Sequence, residues 1–128
     1  MSENKEVLPQ LPDIVGRTNW LPFRKAGKLI FLSGICGIKD DGSTCDDPKE
    51  QIKIAYDNFE NTLREAGVGP GNVVMFNQYI GDDKYYSKCL NFRNVFFGEN
   101  LPACNDIVVT LGHPSHIVEL QCIVYKDD

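Results

Sequence analysis

Apolar residues recur along this chain with two different periods, and the change of period marks out the elements. Alternation with period two indicates a strand, and recurrence every three to four residues indicates one face of a helix. The run Leu29-Ile30-Phe31-Leu32 is too short for a core helix and too apolar for a surface loop, so it predicts a buried strand. Trp20–Arg24 and Lys28–Gly34 are then two strands around a Lys25-Ala26-Gly27 turn, with Pro22 placing the first at a sheet edge. Asp47-Pro48-Lys49-Glu50 offers an N-cap aspartate, a proline at the first helical position and a capping-box glutamate. Ile52, Tyr56, Phe59, Leu63 and Ala66 follow as one apolar stripe, and Gly67 with Pro70 stops the helix. Asn72–Ile80 alternates as a strand. Asp83 is placed to cap a second helix, which carries Tyr85, Cys89, Phe92 and Phe96 on one stripe, Tyr86, Leu90 and Phe97 beside it, and Gly98 at its end. Asn105–Leu111 and Ile117–Tyr125 close the pattern as two strands forming a hairpin through Gly112-His113-Pro114-Ser115-His116. The segment Met1–Val15, with its Leu-Pro-Gln-Leu-Pro stretch, reads as an N-terminal arm. Helices on one face of a mixed sheet, an α+β fold, are the expected architecture.

Composition narrows the class. With 128 residues, 42% apolar and 24% charged, the chain suits one soluble globular domain spanning residues 1–128. No apolar run approaches the roughly 20 residues a bilayer demands, and the polar Met1–Glu6 carries no signal-peptide core. Five cysteines, none in a CxxC pair, argue against a disulfide framework or a zinc ribbon and point to the cytoplasm. A net charge of −5 makes nucleic acid an unfavourable partner, since phosphate neutralisation supplies most of that affinity. The densest basic segment, Arg24-Lys25-Ala26-Gly27-Lys28, reads as a turn rather than a binding patch.

Four groups of residues then resemble one family. Phe31-Leu32-Ser33-Gly34 resembles a first core strand ending in Ser-Gly. Gln51, Ala55, Asn58, Leu63 and Ala66-Gly67 resemble a Gln…Asn…Leu…Ala-Gly helix. Val73-Val74, Tyr79-Ile80 and Asp82 match the next strand and its acidic turn, and Asn91 with Phe97 fits the second helix. Leu101-Pro102-Ala103 and Val118-Glu119 resemble a closing Pro-Ala-Arg…Val-Glu signature. In this order, over about Val15 to Val124, they resemble the Rid/YjgF (L-PSP) family. The resemblance implies a six-stranded mixed sheet with two helices packed on one face, similar to the chorismate mutase subunit, and a homotrimeric barrel with a ligand cleft at each subunit interface. It also implies hydrolysis of 2-imino acids to 2-keto acids and ammonia with no cofactor and no metal. In that chemistry an arginine clamps the substrate carboxylate and a glutamate lies by the attacking water.

The sequence departs from this pattern at the clamp. Cys104 follows Pro102-Ala103 where the family has arginine, and the fifteen-residue step from Cys104 to Glu119 keeps the family's spacing. A thiol near its ordinary pKa of about 8.5 cannot replace a permanent bidentate cation. The family-based site is therefore Glu119 and Cys104 for catalysis, with Trp20, Ser33, Gly34 and Asn91 for binding a small-molecule substrate. Each has a plainer reading. Glu119 can meet solvent or a subunit partner, Cys104 can be a small buried hydrophobe, Asn91 can tie its helix to a loop, and Trp20 can be interface packing. His113 and His116 form an HxxH with no third ligand nearby, so they make a weak zinc site. The glycines of Gly67–Gly71 lack the Gly-Lys-Ser/Thr of a phosphate loop. Three functions remain open: an imine or enamine deaminase acting poorly on simple 2-imino acids and improved by Cys104→Arg; a trimeric metabolite-binding protein without catalysis; and, disfavoured by charge and the absence of a His/Lys catalytic set, an endoribonuclease. Arg17, Arg24 and Arg93 are the arginines that could reach the cleft in place of the missing one.

Overall fold

A computed structural model describes residues 21–127. The arm Met1–Val15, Arg17 and Trp20 lie outside the described residues. Eight elements carry the fold: β1 (Phe23–Ala26), β2 (Leu29–Leu32), β3 (Ile35–Cys36), α1 (Pro48–Glu65), β4 (Val73–Ile80), α2 (Tyr86–Phe97), β5 (Ala103–Val108) and β6 (Val118–Tyr125). The six strands form one mixed sheet in the order β1-β2-β6-β4-β5, with β3 also paired to β6. Both helices pack on one face, as expected for an α+β fold.

The β1–β2 hairpin turns one residue later than the sequence suggested. Ala26 pairs with Leu29, leaving Gly27 and Lys28 as a two-residue loop with Gly27 at φ 64°. A positive φ at the first loop position is the II′ pattern, which glycine meets without strain and which suits the strand twist. β1 is the edge strand, next to Pro22.

α1 forms where its signals stand. The Asp47 side chain accepts a hydrogen bond from the Glu50 amide at 2.9 Å, Pro48 opens the helix, and Gly67 ends it at φ 80°. Its stripe of Ile52, Tyr56, Phe59, Leu63 and Ala66 is buried against Ile30 and Leu32 of β2, Phe76 and Ile80 of β4, and the alternate residues Val118, Leu120, Cys122 and Val124 of β6. Phe97 of α2 closes the same core, packing edge-on against Phe76 at 4.9 Å. At the start of α2 it is Asp82, not Asp83, that caps. Its carboxylate accepts from the Lys84 amide and begins a short 3-10 turn, Asp83–Tyr85, that leads into the helix.

Two features of the sheet differ from the sequence reading. β5 and β6 are not a hairpin, because β4 lies between them, parallel to β5 and antiparallel to β6. The connection at 109–117 instead crosses the end of β4, where the Val109 amide donates to Ile80 and the Gly81 amide to Ile117. The second feature is a bulge. Phe31 pairs with Ile123 and Ile35 with Leu120, so three residues of one strand face two of the other around Ser33-Gly34. The extra residue reverses the alternation. Ile30 and Leu32 face the helices before it, and Ile35, opposite the buried Leu120, faces them after it.

Candidate functional site

The bulge and β6 together build a carboxylate site on the sheet face away from the helices. Glu119 stands opposite Cys36 on β3 and Tyr79 on β4, and residues opposed across a ladder share a face. A side chain at Gly34 would overlap Glu119 Oε2, so the carboxylate rests directly on the Gly34 backbone. The Cys36 thiol donates to Glu119 Oε1 at 3.7 Å. Burial, and then the neighbouring Glu119 charge, push the Cys36 thiol up to about 12. It therefore stays protonated at neutral pH, a donor to the carboxylate and not a nucleophile. Ser33 supports the bulge from behind: its hydroxyl donates to the Leu21 carbonyl and its amide to Pro22 at 2.9 Å.

Cys104 lies elsewhere. It is opposite Phe76, on the helix side of β5, whereas Glu119 is on the open side. Within one chain the two expected catalytic residues thus face away from each other. The Cys104 thiol donates to the Pro102 carbonyl at 3.3 Å. Burial raises its pKa, with the nearby Arg93 acting in the opposite sense, so it too is a neutral thiol at physiological pH.

Beside Cys104 runs a buried polar chain that links both helices to β4 and β5. Tyr56 of α1 donates to Gln78 Oε1 at 2.7 Å, Gln78 Nε2 donates to Asp106 Oδ1 at 2.8 Å, and the other Asp106 oxygen is held by Arg93 NH1 of α2. The Arg93 and Asp106 side chains keep only 13% and 10% of their surface exposed. Sequence reasoning named Arg93 among three arginines but gave it no partner, because an (i, i+13) pairing between a helix and an edge strand has no local signature. Arg24 is exposed on β1. Asn91 is exposed on α2, two positions before Arg93 and so on another side of the helix.

A cleft of about 300 Å³ opens at the end of β4, lined by Cys45, Gln51, Asp82, Tyr85, Ser115 and His116 among others. Gln51 is committed to structure there, donating to the Cys45 and Ser115 carbonyls and accepting from the Ile117 amide. The His113 and His116 rings stack at 4.9 Å, and His113 Nδ1 contacts Ser115 at 2.8 Å. Among the described residues no group of three or more His, Cys, Asp or Glu side chains is placed to hold a metal ion.

A family model described as Endoribonuclease L-PSP matches residues 14–126. The chain belongs to the Rid/YjgF (L-PSP) family. Among its relatives is a RutC family protein of Pyrococcus abyssi, 30% identical over 105 residues that cover 80% of this chain and 83% of that protein. Solved structures share the Rid/YjgF fold. A YjgF family member of Neisseria meningitidis superposes with a TM-score of 0.76 at 23% identity, covering 88% of this chain and 92% of its own. Yeast Mmf1 superposes with a TM-score of 0.79 at 19% identity, covering 87% and 90%. At these identities the structural likeness speaks for the fold alone. Within the Rid/YjgF fold the described chain has no helix long and apolar enough to cross a membrane.

Proposed function

We propose that this chain is an imine or enamine deaminase of the cytoplasm, with Glu119 as its general base and little activity on simple 2-imino acids. The observation that carries the reading is the held carboxylate: Glu119 rests on Gly34 and receives the Cys36 thiol. A fixed, half-buried carboxylate on an open face is suited to take a proton from water as the water oxygen adds to an imine carbon. Glu119 returns that proton to the imine nitrogen to give a carbinolamine. The carbinolamine hydroxyl then gives up its own proton, again by way of Glu119, to the nitrogen, and ammonia leaves as the C–N bond breaks and the carbonyl forms. Water is consumed, and neither metal nor redox equivalent enters the balance.

Because Glu119 and Cys104 face opposite sides of one sheet, a cleft lined by both needs a second copy of the chain, which supports a site between subunits of a homotrimer. The free cysteines Cys36, Cys45, Cys89, Cys104 and Cys122 suit a reducing compartment. Freshly generated imines should release ammonia in the presence of the wild-type chain. Glu119→Gln should lose about a hundredfold or more in rate, the usual scale of a lost general base. Cys104→Arg should raise turnover of a 2-imino acid by about tenfold, because Asp106 neutralises only one of the two guanidiniums then present. Unchanged activity in Glu119→Gln would overturn the reading. Saturable metabolite binding without ammonia release would favour the non-catalytic trimer.

A further inference from the structure

The geometry points to Arg93 and Asp106 as the residues that set the substrate class: an imine or enamine whose group nearest Cys104 is uncharged, a carbonyl or amide rather than a carboxylate. This rests on the deaminase reading above and adds what that reading leaves open. Three observations converge. Arg93 reaches the strand beside Cys104, since its NH1 donates to Asp106, two positions along β5 and so on the same face as Cys104. That cation is already matched by Asp106, and both side chains are almost wholly removed from solvent. Asp106 in turn has no free oxygen among the bonds described, one being taken by Gln78 and the other by Arg93.

The consequence for a ligand follows from charge. A carboxylate arriving at Arg93 meets the Asp106 carboxylate already bound to the same guanidinium, so its attraction to one is opposed by repulsion from the other. It also has to shed its own hydration in a corner whose net charge is zero. An ammonium group fares no better, because its attraction to Asp106 is opposed by repulsion from the Arg93 guanidinium bound to the same carboxylate. A neutral acceptor avoids both costs. Of the five N–H donors of a guanidinium, Nε and NH2 each give one to Asn94 and NH1 gives one to Asp106, leaving two to bond a carbonyl or amide oxygen. The neutral Cys104 thiol beside them adds no charge.

The test uses the full-length chain and two pairs of probes. Ammonia release is measured from a 2-imino acid, made in place by an amino acid oxidase, and from an uncharged imine made from a primary amine by an amine oxidase. Binding of pyruvate and of pyruvamide is measured by calorimetry. The wild type should favour the uncharged imine in kcat/KM, and pyruvamide over pyruvate, by tenfold or more. Asp106→Asn leaves Arg93 uncompensated and should move both ratios toward the carboxylate by at least tenfold, mostly through KM. Arg93→Gln makes the opposite change, leaving Asp106 unmatched; it should move both ratios further from the carboxylate, and it carries the test if Asp106→Asn folds poorly. A wild type that prefers the 2-imino acid, or an Asp106→Asn chain with unchanged ratios, would overturn this inference and leave the deaminase reading standing. Pyruvamide bound over pyruvate with no ammonia from either imine would sink the deaminase reading alone. Neither turnover nor binding would sink both.

Discussion

At the scale of single residues, the position that controls Glu119 is Gly34, and the control is steric. Gly34 has no left-handed backbone, so nothing in its conformation excludes alanine; what excludes it is the Glu119 carboxylate lying where the Cβ would be. That carboxylate is the end of a flexible side chain and can move aside. Gly34→Ala should therefore fold, with a stability loss on the order of 1 kcal/mol for the weakened Cys36 hydrogen bond. Ammonia release should fall on the order of a hundredfold, the cost of misplacing a reacting group by about an ångström. Thermal unfolding and the deamination assay, run side by side, separate the two effects. A Gly34→Ala chain as active as the wild type would show that the Glu119 position on the bulge does not matter. The Cys36 thiol belongs to the same argument: pushed up to about 12, it remains a proton donor across the neutral range and holds the carboxylate without competing as a nucleophile.

At the scale of elements, α1 shows what local signals decide. Its cap, its stripe and its stop all fall within one continuous segment, so each could be read from neighbouring residues. Asp47→Ala removes the hydrogen bond to the Glu50 amide and should cost about 1 kcal/mol, seen as a lower urea midpoint with an unchanged slope. A shift below a few tenths would mean that tertiary packing alone fixes the start of the helix. The strands were legible only in part, and the reason is register. Alternation along β5 and β6 tells which face a residue takes but not which strand lies beside it, so it does not reveal β4 between them. The bulge at Ser33-Gly34 exists only as a count of one strand against another far away in the sequence, Phe31 on Ile123 and Ile35 on Leu120. The candidate site divides along the same line. Glu119 and Gly34 were named from family resemblance. Cys36 against Glu119 and Arg93 against Asp106 are products of register and helix placement, and no spacing in the sequence announces them.

At the scale of the whole molecule, the two helices cover one face of the sheet and leave the other to be explained. Leu29, Phe31 and Ile107 on that open face keep 37%, 40% and 42% of their surface exposed, and Met75, Tyr79 and Ile123 lie between them half-buried. The apolar strand residues Val108 and Ile117 are not part of this face. Val108, paired with the buried Ile80, points to the helix side, and Ile117 is itself buried. Glu119 stands on the same face beside Tyr79, with the hydrogen-bonded row Gln121, Asn77 and Asn105 between it and Met75 and Ile123, so covering the face with another copy would also enclose the carboxylate. Open apolar faces of this kind are what obligate interfaces consume. Sedimentation should accordingly give three times 14.4 kDa at micromolar concentration. Phe31→Glu places a charge on the open face while leaving the helix-side core intact. It should shift the mass toward 14.4 kDa, keep the far-ultraviolet dichroism of the folded chain, and abolish ammonia release, since the cleft would lose its second wall. A wild-type monomer stable at that concentration would remove the intersubunit cleft. A Phe31→Glu monomer with full activity would instead place the chemistry within a single chain, where Glu119 would have to act without Cys104 or Arg93.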